Sequence, residues 1–437
     1  MKNCFAIRAE NPRIFEQRSP LTPDQVQTLI QNNGLKVIVE SSDKRFFKDD
    51  EFRAAGAVVS TDTTDANLIL GVKEIPIEDL PVDKACVFFS HTIKGQTYNM
   101  PLLQAVLDRR VTLIDYEKIA DSQGRRLVFF GPFAGLAGAI DALWILGRRL
   151  QDEGIPNPFS QIRQALEYGS LQEAKSAVEA AGEWIRNNGL PETGKPWVIA
   201  VTGNGTVARG AGEIIDLLPV THISAPEFKQ LQAGNSFDLQ RLYKVVIDCD
   251  HFVKPVDPDT QFEWQDYFQH PEKYQADFEG YLPDITLLIN CIYWDVRYPK
   301  LVTCQDLKRL FADSKSSGLK VIADITCDIG GSIECNQRAT SSANPCYVYN
   351  PETGETSDGV SGAGPVILAV DKLPTELPVE ASAFFGQALM PWLPEMTQAD
   401  YSQSFEALQL PAEIKKAVIA HHGSLTPDYQ YLQGYLD

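Results

Sequence analysis

Four ionisable side chains in the first third of the sequence follow short apolar runs that are typical of buried strands. Lys73 and Glu74 come directly after LILGV, His91 follows VFFS, and Glu117 closes LIDYE. In an open α/β sheet, ligands bind beyond the carboxyl ends of the strands, so we expect these side chains at one edge. A partly buried amine beside other cations and an imidazole that titrates near neutrality suit general acid–base catalysis. We therefore predict that Lys73 and His91 are catalytic.

Two arginines of the same region are suited to binding carboxylates. Arg18 stands in FEQRSPLTP, just before a predicted helix, and Arg126 stands in GRRLVFFG. The guanidinium fork binds a carboxylate through two parallel hydrogen bonds. A single charged side chain at such a position is more often solvated at the surface. Three predicted strands of one region each end in an ionisable side chain, however, and this coincidence favours a functional site. Glu74 and Glu117 complete the predicted substrate-binding set, where they would hold an amino group or tune the pKa of Lys73.

The stretch VIAVTGNGTVARGAGEIIDLL contains a glycine-rich turn between an apolar run and an amphipathic helix. Its glycines permit a tight turn and close approach of the backbone to a pyrophosphate, whose charge then lies at a helix N-terminus. A tight strand–helix turn without a ligand is the simpler alternative, and the flanking strand and helix favour a nicotinamide coenzyme site. The predicted coenzyme-binding residues are Gly203, Asn204, Gly205, Thr206, Val207, Ser224, Ile292 and Asp324.

The end of the next predicted strand, PVTHIS, bears on the choice of coenzyme. An acidic residue at that tip would bind a ribose 2′-hydroxyl. Ser224 ends the strand, Ala225 and Pro226 follow it, and Glu227 lies slightly beyond. The sequence therefore predicts NADPH as the better coenzyme, with NADH as the alternative.

Strand-like and helix-like segments alternate along both halves of the chain, which indicates an α/β fold of two Rossmann-like open-sheet domains. The segment LVFFGPFAGLAGAIDALWILG is long enough to span a bilayer, but Asp141 near its middle would be costly in lipid. We predict instead a strand that ends near Phe130, a turn at Pro132, and a buried helix from about Phe133.

Composition excludes several classes of protein. A chain of 437 residues predicts two domains, and the net charge of −19 leaves no basic stripe for a nucleic-acid partner. The N-terminus lacks the apolar segment of a secretory signal, and the eight cysteines form no C-x-x-C pair. We therefore predict a cytoplasmic protein with free thiols, without a metal or a membrane partner. A homo-oligomer is compatible with the sequence.

Several longer motifs carry a family resemblance. The order R-x-P-L-T-P, GVKE-x-P, FFSHTIK, IDYE and GRR-x-x-x-FG-x-x-AG is similar to the lysine-ketoglutarate reductase and saccharopine dehydrogenase family, itself related to alanine dehydrogenase. LLINCIYWDVRYPKLVT, IADITCDIGGSIE and HHGSLTPDYQYLQGYL resemble the reductase half of the bifunctional lysine-degrading enzyme. The resemblance extends from Ala6 to Leu436.

The resemblance implies a substrate domain of residues 1–131 and 350–437, a dinucleotide-binding Rossmann domain of residues 132–349, and an active site in the cleft between them. It implies that lysine condenses with 2-oxoglutarate and that the imine is reduced to saccharopine. The chain stops where a fused saccharopine-oxidising domain would begin, so only this reaction is implied. Two alternatives remain: an NAD-dependent lysine-forming saccharopine dehydrogenase or related imino-acid reductase, and a catalytically silent coenzyme-sensing module.

Overall fold

In a computed structural model, residues 3–233, 237–312 and 317–436 are described. The chain forms two compact units, Met1–Phe130 with Pro378–Asp437, and Gly131–Leu377. The elements of the first segment are β1 (Cys4–Ile7), α1 (Pro23–Asn33), β2 (Lys36–Val39), α2 (Asp49–Ala54), β3 (Val58–Val59), β4 (Leu68–Leu70), β5 (Ala85–Phe88), α3 (Met100–Asp108) and β6 (Thr112–Asp115).

These six strands form a parallel sheet in the order β6-β5-β4-β1-β2-β3. All residues of β1, β4, β5 and β6 are buried, as expected for parallel strands that are covered on both faces. Helix α1 begins with a capping box between Thr22 and Gln25 and has a proline in its first turn. It ends at Gly34, whose φ of 64° is left-handed.

The second unit contains α4 (Gly131–Asp152), α5 (Leu171–Asn188), β7 (Val198–Thr202), α6 (Thr206–Ile215), β8 (Val220–Ile223), α7 (Ala225–Ala233), β9 (Leu242–Ile247), α8 (Cys249–Phe252), β10 (Val253–Pro255), α9 (Trp264–Gln269), β11 (Tyr274–Ala276), β12 (Leu287–Asn290), α10 (Cys304–Ala312), β13 (Val321–Asp324), β14 (Cys346–Tyr349), β15 (Thr356–Asp358) and β16 (Val366–Leu368). Its large sheet has the order β15-β14-β16-β13-β12-β7-β9-β8, and β10 pairs with β11 separately. The strands from β16 to β8 in this order are parallel to one another. Strand β14 pairs antiparallel with β16, and β15 pairs antiparallel with β14.

Helices α4 and α6 pack backbone to backbone through glycines. A Cβ atom on Gly210 would lie 2.2 Å from the Pro132 carbonyl oxygen, and one on Gly135 would lie 1.9 Å from the Val207 oxygen. Neither position has room for a side chain, so the packing of α6, which follows the nucleotide turn, depends on both glycines.

The final segment returns to the first unit with α11 (Pro378–Leu389), α12 (Leu393–Gln398), α13 (Ala412–Lys415), β17 (Val418–His421) and β18 (Ser424–Leu425). Strand β17 pairs antiparallel with β6, and β18 pairs with β17 at the edge of the sheet. The first sheet is therefore completed by residues from the far end of the sequence.

The predicted strand ending near Phe130 is not formed. Arg126 makes an isolated bridge with Ala120, and α4 then begins directly at Gly131. The apolar run is explained by packing on α11 instead, because the ring of Phe130 stacks on that of Phe385 at 4.3 Å between centroids. The helix predicted from Phe133 is correct as a buried helix.

The predicted boundary near residue 350 also differs. Strand β14 pairs with β16, and β16 lies beside β13, so residues 350–377 complete the second sheet. The chain returns to the first unit at Pro378.

Within the described ranges, no helix has the length and apolar character needed to cross a membrane. The same part of the chain holds no group of His, Cys, Asp and Glu side chains arranged for a metal ion. All eight cysteines are free thiols.

Candidate active site

The three predicted strand ends lie side by side in the first unit. Strands β4, β5 and β6 are parallel neighbours, so their carboxyl ends reach the same edge of the sheet. Lys73 and Glu74 follow β4, His91 follows β5, and Glu117 follows β6. The structure therefore brings these four predicted residues to one edge.

His91 and Glu74 form a pair across this edge. His91 Nδ1 is hydrogen-bonded to Glu74 Oε1, and each side chain is about one-third exposed. The contact raises the pKa of His91, against the opposing effects of burial and of the Lys73 charge. Burial alone would raise the pKa of Glu74, but the contact with His91 lowers it. The pair keeps the imidazole protonated to a higher pH than usual, as a proton donor requires.

A buried aspartate holds the turns that carry His91 and Glu117. Asp115 Oδ2 accepts the Ser90 N–H at 3.0 Å and also the Ser90 hydroxyl, and Asp115 Oδ1 accepts the Glu117 N–H at 2.7 Å. Burial raises the pKa of Asp115 to about 6, and the Ser90 and Glu117 bonds oppose the rise. His91 needs such support because its φ of 51° is left-handed, which few residues other than glycine adopt. Sequence reasoning missed Asp115, although an acid inside an apolar run signals such a role.

Glu117 and Arg126 form a second pair. Arg126 Nη2 donates to Glu117 Oε1 at 2.8 Å. The arginine side chain is 51% exposed, whereas that of Glu117 is 15% exposed. Arg126 is thus anchored on one side and accessible to a ligand carboxylate on the other.

Arg18 is buried in an ion pair that the sequence did not predict. Its Nε and Nη2 donate to Glu16 Oε1 and Oε2 at 2.8 and 2.6 Å, and the pair is almost fully buried. The guanidinium also lies 4.1 Å from the centre of the Phe130 ring. Burial would raise the pKa of Glu16, but Arg18 and then Lys73 lower it below its ordinary value. Two of the three guanidinium nitrogens are therefore engaged before any substrate binds.

The nucleotide turn of the second unit fits a pyrophosphate. Gly203 has a φ of 83°, and a Cβ there would lie 3.2 Å from Ile292 Cγ2. Gly205 caps α6 without a side-chain hydrogen bond, and a Cβ there would meet no atom within 4 Å. Asn204 and Gly205 are exposed, and Thr206 and Val207 are partly exposed. The first N–H groups of α6 are thus presented beside an open space, as anion binding requires.

Asp324 lies among buried polar groups at the ends of three neighbouring strands. Its Oδ1 accepts Asn290 Nδ2 at 2.8 Å, and its Oδ2 accepts Asn336 Nδ2 at 2.7 Å. Asn290 Oδ1 in turn accepts the Thr202 hydroxyl at 2.8 Å. Burial raises the pKa of Asp324, and these bonds oppose the rise. The network ties the ends of β7, β12 and β13 together next to the nucleotide turn.

Ser224 does not lie on the strand next to the nucleotide turn. Strand β9 is inserted between β7 and β8, and the Gly203 N–H donates to Ile247 O of β9 at 3.0 Å. The strand tip beside the turn therefore carries Asp248, whose Oδ1 accepts the Cys249 N–H at 2.9 Å. Strand order does not follow chain order here, so the strand that follows α6 in sequence lies at the edge of the sheet.

Glu227 lies in the first turn of α7, slightly beyond β8 as the sequence indicates, and its side chain reaches back to the end of that strand. Glu227 Oε2 accepts both the N–H and the hydroxyl of Ser224 at 2.7 Å. This contact caps the start of α7 and lowers the pKa of Glu227.

Family models match both parts of the chain. "Alanine dehydrogenase/PNT, N-terminal domain" matches residues 6–137, and "Alanine dehydrogenase/PNT, C-terminal domain" matches residues 256–428. The fold agrees with the solved structure of an L-alanine dehydrogenase, with a TM-score of 0.61 and 17% identity over 99% of this chain and 100% of that one. A transhydrogenase from Sinorhizobium meliloti gives a TM-score of 0.51 at 16% identity, over 97% and 100%. These matches define the class as the alanine dehydrogenase/PNT fold.

Curated relatives narrow the class. Alpha-aminoadipic semialdehyde synthase of Arabidopsis thaliana is 38% identical over 98% of this chain and 41% of its own length. The mitochondrial protein of that name from Rattus norvegicus is 36% identical over 99% and 48%. Saccharopine dehydrogenase [NAD(+), L-lysine-forming] of Emericella nidulans is 28% identical over 90% and 91%. The chain belongs to the alanine dehydrogenase/PNT family. Over almost its full length it is similar to the alpha-aminoadipic semialdehyde synthases, and it spans less than half the length of these first two relatives.

Proposed function

We propose that this chain is a nicotinamide-dependent oxidoreductase that condenses lysine with 2-oxoglutarate and reduces the imine to saccharopine. The observation that carries the proposal is the convergence of Lys73, the His91–Glu74 pair and the Glu117–Arg126 pair at three neighbouring strand ends. The names of the relatives, which concern aminoadipic semialdehyde and saccharopine, support it. In this proposal the first unit binds the substrates and the second binds the coenzyme.

Substrate binding is assigned to the charged groups of the first unit. Arg126 binds a substrate carboxylate, since its guanidinium is accessible. Arg18 contributes through the part of its guanidinium that Glu16 does not engage. Glu74 and Glu117 offset the positive charge of the bound amino group.

The proton transfers are assigned to Lys73 and His91. The ε-amine of lysine, with a pKa of roughly 10.4, must lose a proton before its nitrogen attacks the ketone carbon. Lys73 Nζ accepts that proton, and the C–N bond forms as the ketone π-bond opens. The alkoxide oxygen takes the proton that the attacking nitrogen releases, which gives the carbinolamine. His91 donates a second proton to this oxygen, which leaves as water to give the protonated imine, and Glu74 stabilises the imidazolium. When bound, the nicotinamide supplies a hydride to the imine carbon.

Two observations bear on the coenzyme. The sequence favours NADPH, because Ser224 itself is not an acid. The strand order favours NADH as a second candidate, because Asp248 stands at the strand tip beside the nucleotide turn and a carboxylate there suits a ribose diol. Asp248→Asn should weaken NADH binding and spare NADPH if Asp248 reads the ribose. Unchanged dissociation constants for both coenzymes would mean that Asp248 does not contact the ribose, and the choice of coenzyme would again be assigned to Ser224.

The lysine-forming direction with NAD+ is the competing function within this family. The Emericella nidulans relative, named for that direction, matches nine-tenths of both chains. The same residues would serve it, because each proton transfer is reversible.

A cytoplasmic location remains part of the proposal, and the eight free thiols are consistent with a reducing compartment.

The decisive experiment measures coenzyme oxidation with 2-oxoglutarate against a panel of amino acids, with NADPH and NADH in parallel. We expect turnover with lysine and formation of saccharopine. Turnover with another amine alone would identify a different imino-acid reductase. Tight coenzyme binding without turnover on any pair would indicate a coenzyme-sensing module.

A further inference from the structure

The chain that follows β4 extends past its neighbour β1 and takes a side-chain acceptor there. The Arg8 N–H donates to Leu70 O at 2.9 Å as the strands end. The next two N–H groups on the β4 side bond to one carboxylate: Val72 N–H donates to Glu10 Oε1 at 2.6 Å, and Lys73 N–H donates to Glu10 Oε2 at 3.0 Å. The Glu10 carboxylate thus accepts the two hydrogen bonds that backbone carbonyls would accept if β1 continued alongside this segment.

The opposite side of the same segment is held by β5. The Gly71 N–H donates to Val87 O at 2.9 Å, and Phe89 N–H donates to Val72 O at 3.2 Å. A Cβ on Gly71 would approach Arg8 Cδ to 3.1 Å, so the turn is also packed tightly against Arg8. Residues 71–73 are therefore fixed between a strand on one side and a carboxylate on the other.

Glu10 is well placed for such a role because water has little access to it. The side chains of Glu10 and Arg8 are each 8% exposed, and Arg8 Nη1 lies 3.7 Å from Glu10 Oε2. Burial raises the pKa of Glu10, while Arg8 and the two N–H donors oppose the rise. An unpaired backbone N–H is costly when buried, so removal of this acceptor would release the turn.

We propose that Glu10 is a positioning residue that fixes the backbone of Val72 and Lys73 and thereby sets where the Lys73 amine acts. The inference rests on the proposed role of Lys73. Glu10 itself need not touch substrate, because it acts through the peptide groups of the turn. A displacement of about 1 Å at a reacting group costs on the order of 100-fold in rate, so a loosened turn should be visible in turnover.

Glu10→Gln tests the proposal with little change in size. The glutamine keeps one oxygen acceptor, but its amide nitrogen is a donor and lies opposite a backbone N–H. One of the two hydrogen bonds to the turn is therefore lost. We expect kcat to fall about 10- to 100-fold, the KM for the coenzyme to stay within about twofold, and the pH-profile limb that is lost in Lys73→Met to move. Hydrogen–deuterium exchange should show faster exchange of the Val72 and Lys73 amides. Glu40→Gln is the matched control, because Glu40 Oε2 accepts the Ala9 N–H at 2.8 Å in the same segment but does not hold the turn at Lys73.

A double-mutant cycle separates positioning from general destabilisation. In the Lys73→Met background, Glu10→Gln should cost little further turnover, since both changes act through one group. Full additivity, unchanged amide exchange, or an equal loss in Glu40→Gln would overturn the inference while leaving the proposed function in place. An active Lys73→Met enzyme would instead overturn the proposed role of Lys73, and the amide exchange would still report whether Glu10 holds the turn.

Discussion

The two candidate sites of the molecule are built in opposite ways. In the first unit the chemistry lies in charged side chains on three strand ends, and buried carboxylates hold the turns that present them. In the second unit the proposed phosphate-binding part of the site is one contiguous turn, in which Gly203 and Gly205 leave backbone groups uncovered by side chains. We therefore expect turnover to be lost when a functional group of the first site is removed. We expect coenzyme binding to weaken when a side-chain atom is added to a glycine of the second.

The largest effect is expected at Lys73 and His91. Lys73→Met and His91→Gln should each lower turnover roughly 10²- to 10⁴-fold with the fold intact, because each removes one proton-transfer group. The double variant should be little worse than the poorer single one, since the two residues act together. Steady-state kinetics over a pH series would measure this, and each single variant should lose one limb of the profile. Near-parental turnover with an unchanged profile in Lys73→Met would contradict the assignment.

The next effect separates the two arginines of the first unit. Arg18→Ala removes both hydrogen bonds that Arg18 donates to the buried Glu16, so we expect about 3–5 kcal/mol less free energy of unfolding. Arg126→Ala removes a half-exposed side chain, so stability should change little while the KM for a carboxylate substrate rises. Denaturant unfolding and substrate kinetics on both variants test the difference. Coenzyme affinity should stay near the parental value in Arg126→Ala, and unchanged Michaelis constants there would remove Arg126 from the site.

A smaller effect is expected when a methyl group is added between α4 and α6. Gly210→Ala forces the helices apart and should lower the free energy of unfolding by about 1–3 kcal/mol, with weaker coenzyme binding. Gly280→Ala is a matched control in the same unit, because a Cβ there would meet no atom within 4 Å. Thermal unfolding and coenzyme titration of both variants measure the contrast. Equal behaviour of the two would mean that α6 tolerates displacement.

The smallest effect concerns the pH dependence of the His91–Glu74 pair. Because Glu74 is the main cause of the raised pKa of His91, Glu74→Gln should lower that pKa and move the corresponding limb of the pH profile to lower pH. A raised pKa stabilises the fold below the ordinary histidine pKa, and this contribution is lost as the pH rises through the raised value. The variant should therefore lose stability in acid and little in alkali. An unmoved limb would show that Glu74 does not control His91.

Local patterns predicted local structure well. The capping box and Gly34 of α1 and the strand–turn–helix around Gly203 follow from residues that are neighbours in sequence. The parallel order of β4, β5 and β6 follows from alternating strands and helices, and this alternation sufficed to place Lys73 and His91 at one edge.

Contacts between distant residues were the part that the sequence did not reveal. The bonds from Lys73 to Glu10 and from Ser90 to Asp115 join residues far apart in the chain, and no spacing rule marks them. The insertion of β9 beside β7 depends on how strands compete for sheet positions, so the sequence did not reveal that Asp248 lies at the strand tip beside the turn. The apolar run before Gly131 packs on a helix that lies far along the chain, and it was therefore mistaken for a strand.

The return of the chain at Pro378 has a consequence for the order in which the molecule forms during synthesis. Residues 131–377 are contiguous, so the second unit has all its strands once residue 377 is made. The first unit must wait, because the Asp115 N–H donates to Ala417 O and the Ser19 N–H donates to Ser382 Oγ. Until then β6 has no partner on one side, and an unpaired edge strand is prone to join other chains. The residues proposed for catalysis are thus synthesised early, but the sheet that carries them is completed only after the last part of the chain is made.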